Sequence, residues 1–317
     1  MILKTYHIKF QGLLLVTLTT LKQIFGSNIK NMKSFLNISD LDTFNLRSII
    51  SNNDESFNLG GKNIGLLFEK YSTRTRLSFA VGINQLSGNV IDIRFDELNI
   101  VRNESFEDTF RAMNCYLDGL VYRTNDHRKL IQASQFFTKP IINALSDFSH
   151  PCQILSDLLT LHEQFGSLDC HVLWMGDMNN VCFSLFEAAK LIPELKLTIC
   201  TPRSISSQKD WKLNSNIEVI NKLGDINLPS VNCIMTDVFI SMNDEDSSDK
   251  IDLLTPYMVN SDLMSKTAHD CVFMHCLPAK VGFEVSEEVF RSPQSIVWKQ
   301  AYNRMVAQKK LLQYIYQ

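Results

Sequence analysis

Short apolar runs alternate with longer stretches of helical periodicity from residue 63 to residue 275, and that alternation restricts this chain to a small set of folds. The pattern predicts strands over 63–68, 89–94, 119–123 and 140–144, separated by helices over 74–86, 105–117 and 126–137. A helix over 151–165, with Pro151 suited to its first position, leads into a second series. There the strands are 171–175, 196–200, 231–235 and 271–275, the helices 181–191 and 258–266, with an irregular stretch at 206–223 and a last helix over 298–316. Strand followed by helix implies parallel sheets covered by helices, an α/β fold. At 317 residues the chain has room for two domains of roughly 150 residues. The architecture expected is two doubly wound parallel-sheet domains, 32–167 and 168–297, joined by interdomain helices, with the C-terminal helix (298–317) packing back on the first and a site in the cleft. Ahead of the first strand, Phe35, Leu36, Ile38, Leu41, Phe44, Leu46, Ile49 and Ile50 suit one amphipathic helix over 32–50, with Ser39 and Asp40 as candidate caps.

A content of 45% hydrophobic and 21% charged residues with net charge −3 describes an ordinary soluble chain and gives no basic excess for nucleic acid. Eight cysteines without a C-x-x-C spacing indicate neither a zinc site nor a disulfide framework, and favour a reducing compartment. No apolar run reaches the roughly 20 residues that span a bilayer. Residues 1–31 hold Lys4, Lys9, Lys22 and Lys30, no acidic residue, and the apolar patch Leu13 to Val16 among threonines. Two readings stay open for that leader: an organelle transit peptide, which would place the protein in mitochondria, or an extension upstream of a start at Met32, which would leave it cytoplasmic.

In open α/β sheets ligands lie beyond the carboxyl ends of the strands, and there the polar residues of this chain collect. Ser72, Thr73, Arg74, Thr75 and Arg76 follow the first strand and open a helix, whose unpaired N–H groups and partial positive charge suit an anion. Arg123 and Thr124 follow the third strand; Ser149, His150, Pro151, Cys152 and Gln153 follow the fourth. Gly176 to Asn180 follow strand 171–175, Asp237, Ser241 and Met242 follow 231–235, and His275, Cys276, Leu277 and Pro278 end 271–275. Taken singly, each cluster has an ordinary reading: a helix cap, a turn, a surface pair, a buried thiol. Six at equivalent strand ends point to an interdomain cleft that holds an anion on one side and a cation on the other.

S-T-R-T-R at 72–76, H-P-C-Q at 150–153 with I-L-S-D-L-L-T after it, and H-C-L-P-A at 275–279 resemble the aspartate/ornithine carbamoyltransferases from Met32 onward. G-D-M-N-N-V at 176–181 and Asp237 with Ser241 and Met242 resemble the ornithine branch. The resemblance implies carbamoyl phosphate held by Ser72, Thr73, Arg74, Thr75, Asn99, Arg123, His150, Gln153, Cys276, Leu277 and Arg304. It implies L-ornithine held by Asn180, Asp237, Ser241 and Met242, and Arg123, His150 and Cys276 as the catalytic group. No metal or organic cofactor is implied, and the expected assembly is a homotrimer with sites between subunits, Asn99 reaching into its neighbour's. The activity implied is transfer of the carbamoyl group to the δ-amine of ornithine, giving L-citrulline and phosphate in a step of the arginine biosynthesis or urea-cycle type. Alternatives are a carbamoyltransferase for putrescine or an acylornithine, or a silent paralogue. A nicotinamide-binding oxidoreductase fits poorly, because Gly60, Gly61 and Gly65 do not open a helix. Departures from the family pattern stand at Ala80, Asn99, Asn243 and Val281.

Overall fold

The computed structural model describes residues 34–52, 54, 56–240 and 248–317, so the leader and the positions Ser241, Met242 and Asn243 lie outside the described residues. The first sheet unit comprises α1 (Thr43–Ser51), β1 (Asn63–Phe68), α2 (Arg74–Gln85), β2 (Asn89–Arg94), α3 (Phe106–Tyr116), β3 (Gly119–Arg123), α4 (His127–Phe136) and β4 (Ile141–Leu145). After α5 (Pro151–Phe165) come β5 (His171–Met175), α6 (Asn180–Leu191), β6 (Lys196–Cys200), α7 (Arg203–Ser206), β7 (Ile217–Ile220) and β8 (Cys233–Thr236). The rest is α8 (Ser248–Leu254), α9 (Ser261–Ser265), β9 (Val272–His275), α10 (Glu287–Arg291) and α11 (Val297–Tyr316).

The sheets run β2-β1-β3-β4 and β7-β6-β5-β8-β9, every pair parallel. Each starts at an inner strand, winds out to one edge and returns to the other, which makes both doubly wound. The reversal lies between β1 and β3 in one sheet and between β5 and β8 in the other, and these switch points open crevices at the carboxyl edges. Strand β5 is buried along its whole length, as its unbroken apolar run requires of a central strand. Strand β7 lies in the stretch the pattern left irregular: Ile217-Glu218-Val219-Ile220 is a four-residue edge strand, too short for its alternation to stand out.

The single helix expected over 32–50 is two pieces, a 3-10 turn at Ile38–Asp40 and then α1. Two carboxylates in succession break it. Asp40 accepts from the N–H groups of Leu36 and Asn37 at 2.7 and 2.9 Å, and Asp42 caps α1 by accepting from Asn45 N–H at 2.7 Å. Leu41 between them is extended, and Phe35 runs beside β4, donating to Ile141 and accepting from Asn143 at 2.8 Å each. The apolar periodicity still serves the core, since Leu46, Ile49 and Ile50 are buried.

Helices α5 and α11 tie the two sheets into one core that includes Val121 and Ile142 from the first and Val172, Trp174 and Met235 from the second. Their shared face is polar as well as apolar: Ser156 Oγ donates to the Gln300 carbonyl at 2.8 Å, and Asn303 Nδ2 to Thr160 Oγ1 at 3.0 Å. Near the end of α11, Tyr316 Oη donates to the Asp118 carbonyl at 2.9 Å and lies where any Cβ at position 119 would sit, so the glycine there lets the helix dock.

Candidate active site

A cavity of about 430 Å³ opens where the carboxyl edges of both sheets meet α5 and α11. Its lining includes Ser72, Thr73, Arg74, Thr75, Arg123, His150, Gln153, Asn180, Asp237, Cys276, Leu277 and Arg304, which brings together twelve of the fifteen residues expected from sequence. Of the others, Ser241 and Met242 lie outside the described residues. Asn99 is exposed on a 3-10 turn, Asn99–Arg102, and does not line the cavity of its own chain.

The cationic wall is built by three elements. Thr73 sits at the N-cap of α2 but makes no side-chain cap bond, which leaves the helix start available to a ligand. Arg74 is half-buried and faces the cavity, whereas Arg76 turns outward to pair with Asp92 and lies 5.6 Å from the Phe68 ring centroid. Arg123 ends β3, 5% exposed, with its Nε unpartnered. Burial pushes its guanidinium down to about 10, and the nearby charges of Arg304 and Arg74 add to the effect. Arg304, 3% exposed, reaches in from α11 to donate to Gln153 Oε1 and Thr75 Oγ1. Three guanidiniums in a buried cleft repel one another, and an anion among them relieves the repulsion.

His150 caps α5 in the same wall. Its backbone N–H donates to Ser184 Oγ at 2.9 Å, and its Nδ1 is buried without a partner. Burial, then Arg304 and Arg123, hold the imidazole well below its ordinary value, so it is neutral at pH 7 and can donate or accept one hydrogen bond without adding charge. One turn on, Gln153 Nε2 donates to Asp157 Oδ1 at 2.8 Å.

The second sheet supplies the anionic side. Gly176, at φ +110°, turns the chain out of β5 in a conformation that disfavours any side chain. The two asparagines that follow divide their work. Asn179 caps α6 through Oδ1, accepting from Val181 and Cys182, and its Nδ2 donates to Asp237 Oδ2 at 2.7 Å. Asn180 lines the cavity and donates to the Ser146 carbonyl at 2.7 Å. Cys276 donates from Sγ to the other oxygen of Asp237 at 2.7 Å. Burial first, then the Asp237 charge, raise the Cys276 thiol well above its ordinary value; of thiol and thiolate it is therefore the thiol.

Leu277, at φ +56° before a cis peptide to Pro278, is held in the left-handed region by its surroundings. Its N–H donates to His275 Nδ1 at 2.8 Å, which fixes the proton on Nε2, directed at Glu284 Oε1 at 3.2 Å. Glu284 also accepts from the Lys280 N–H and so pins the loop that follows β9. Asp237, His275 and Cys276 bring potential metal-ligand atoms within 4.8 Å of one another, but the protein itself occupies those atoms with the bonds just described.

Several contributors were not singled out from sequence. Glu69, one residue past β1, accepts from Tyr122, Thr124 and Lys129 at 2.6 to 3.0 Å and so ties the end of β1 to the end of β3. Its signal was a lone carboxylate directly after an apolar strand. Asp157 is fully buried in α5, and burial lifts its acid to about 7 against the lowering effect of Gln300 and Gln153. Its signal was a position four residues after Gln153, on the same helix face.

Residues 33–163 match the family model for the carbamoyl-P binding domain of aspartate/ornithine carbamoyltransferase, and residues 168–315 match that for its Asp/Orn binding domain. The chain is 40% identical over 269 residues to an ornithine carbamoyltransferase of Methanosphaera stadtmanae, covering 81% of this chain and 88% of that one. A Rhodopseudomonas palustris ornithine carbamoyltransferase is 38% identical over 296 residues, 88% of this chain and 95% of its own. The solved ornithine carbamoyltransferase of Pyrococcus furiosus superposes with a TM-score of 0.80 at 32% identity, over 89% of this chain and 96% of that one. With both domains matched in order across one continuous chain, the protein belongs to the aspartate/ornithine carbamoyltransferase family.

Proposed function

We propose that the chain transfers the carbamoyl group of carbamoyl phosphate to the δ-amine of L-ornithine, giving L-citrulline and phosphate. One observation carries the reading: a single cavity with Arg74 and Arg123 at the edge of one sheet, Arg304 reaching in from α11, and the carboxylate of Asp237 at the edge of the other. The first set suits a phosphate dianion, and Asp237 suits the α-ammonium of an amino acid, with Asn180 lining the same cavity. Putrescine and N-acylated ornithine lack a free amino-acid head and leave Asp237 without its partner.

The chemistry follows from the charges. The neutral δ-amine attacks the carbonyl carbon, a C–N bond forms, and negative charge gathers on the carbonyl oxygen. Arg123 and His150 would steady that oxygen, while Gln153 accepts from Arg304 and holds it in place; as the C–O bond breaks, phosphate leaves into Ser72, Thr73, Arg74, Thr75 and Arg304 and takes up the nitrogen's proton. Donors fixed before the reaction lower the barrier because they need not reorganise. No electron is transferred, so no redox cofactor enters. An uncharged Cys276 beside the entering amine favours the neutral nucleophile over its ammonium form.

The exposed apolar residues Leu77 and Val81 on α2 and Ile91 on the edge strand β2 support assembly into a homotrimer, with Asn99 offered to a neighbour's cavity. Among the described residues no helix is long and apolar enough to cross a membrane, and all eight cysteines are unpaired, which suits the reducing cytoplasm or mitochondrial matrix. The test supplies carbamoyl phosphate with ornithine, acetylornithine, putrescine or aspartate in turn. Citrulline from ornithine, with at least about 100-fold less product from the others, is the expected result; no citrulline overturns the proposal.

A further inference from the structure

Deep in α5, Asp157 does not itself line the cavity, yet it sits at the junction of both halves of the site. Its Oδ1 accepts two amide donors, Nε2 of Gln153 and Nε2 of Gln300, each at 2.8 Å. Each glutamine turns its oxygen the other way. Gln153 Oε1 accepts from Arg304, which in turn donates to Thr75 Oγ1 at the start of α2. Gln300 Oε1 accepts from the backbone N–H of His275 at 2.9 Å, directly before Cys276 and Leu277. Asp157, Gln153, Gln300 and Arg304 are all buried, so no water competes for these bonds.

The chemistry leaves one arrangement. A guanidinium and a backbone N–H offer only donors, so both glutamines must present oxygen to them and nitrogen to whatever stands behind. Asp157 is what stands behind. Without an acceptor there, both amide –NH2 groups are buried unpaired, and any turn that relieves them takes the Gln153 oxygen away from Arg304 and the Gln300 oxygen away from the His275 N–H. We infer that Asp157 is a positioning residue that sets the amide orientation of Gln153 and Gln300 together, and so aims Arg304 at the phosphate turn and the His275-Cys276-Leu277 segment at the amine. The inference rests on the carbamoyl-transfer reading above and adds a residue that reading does not use.

What the site needs from Asp157 is an acceptor oxygen rather than a charge, and that separates this role from a structural one. The test measures KM for each substrate, turnover and thermal midpoint in three variants. Asp157→Asn keeps an oxygen and is expected to hold both KM values within about threefold of wild type. Asp157→Leu, similar in volume, is expected to raise both by at least about tenfold. Gln300→Leu, which cuts one arm only and guards against misfolding of the first, is expected to raise the ornithine KM while carbamoyl phosphate stays within about twofold. A leucine variant at 157 that lowers only the thermal midpoint overturns the inference, as does Asp157→Asn failing as badly as leucine. Equal loss for both substrates in Gln300→Leu overturns the two-armed scheme. Wild-type protein that makes no citrulline sinks the parent reading, and this inference with it, and is distinguished by involving no variant at all.

Discussion

Arg74 and Arg76 stand two positions apart in one turn, and their surroundings give them opposite duties. Arg74 faces the cavity, whereas Arg76 holds Asp92 at the surface, the two side chains 32% and 54% exposed. Charge-assisted bonds to a phosphate in a buried cleft are worth roughly 1.5–3 kcal/mol each, while an exposed ion pair contributes about 0–1 kcal/mol. Arg74→Ala is therefore expected to weaken carbamoyl phosphate binding by about 100-fold, and Arg76→Ala to leave it within about twofold, measured by titration calorimetry and initial rates. Equal effects from both substitutions would remove the distinction. Residue types by themselves do not separate two arginines two residues apart at a helix start, because helix rotation and the packing of the neighbouring strand decide which one turns inward; only the family resemblance singled out Arg74. The same holds for Asn179 and Asn180: the first bonds Asp237 and the second lines the cavity, a split set by the cap geometry of α6.

At the scale of elements, every strand but the short edge strand β7 was legible and the joins were not. Runs such as Asn63–Phe68 and His171–Met175 are apolar after their first residue because both faces of a parallel sheet are covered, and that signal survives without tertiary information. The first helix was misread because Asp40 and Asp42 divert the backbone, and side-chain capping competes with helix at a cost that periodicity does not register. The docking of α6 on the loop before α5 was equally hidden. Ser184 Oγ donates to the Asn180 carbonyl at 2.9 Å, contacts Ser149 Oγ at 3.0 Å and accepts the His150 N–H at 2.9 Å, while Phe148 packs on Phe183 with ring centroids 4.5 Å apart. These contacts join the loop that carries His150 to the helix that carries Asn180. Ser184→Ala strands the His150 N–H in a buried place, for which the general cost is about 1–3 kcal/mol. The expected outcome is a loss of that size in denaturant unfolding together with a roughly tenfold drop in turnover; full turnover at reduced stability would show that His150 needs no such anchor.

For the whole molecule, the two crevices were readable in the sequence because strand-end residues in a doubly wound sheet must share one edge, but their meeting in a single cavity depends on α5 and α11, whose buried polar contacts no periodicity shows. Assembly is a further step from one chain's pattern. Leu77 and Val81 lie one helical turn apart on α2, 59% and 43% exposed, and Ile91 on the neighbouring edge strand is 42% exposed. A β edge flanked by apolar side chains is a liability unless a partner covers it. On the proposed trimer, copies would meet at this edge, with Asn99 offered to a neighbour's cavity. The pair Leu77→Asp and Ile91→Asp places two carboxylates in that contact, where desolvating an unpaired charge costs more than burying the lost apolar surface returns. Light scattering is expected to show three chains per particle in the wild type and one in the double variant. Turnover should fall by at least about tenfold while the far-UV spectrum stays native, because a separated chain keeps its fold but loses its neighbour's contribution. A variant that remains a trimer would move the interface elsewhere on the surface, and a monomer with full turnover would mean that each cavity is complete within its own chain.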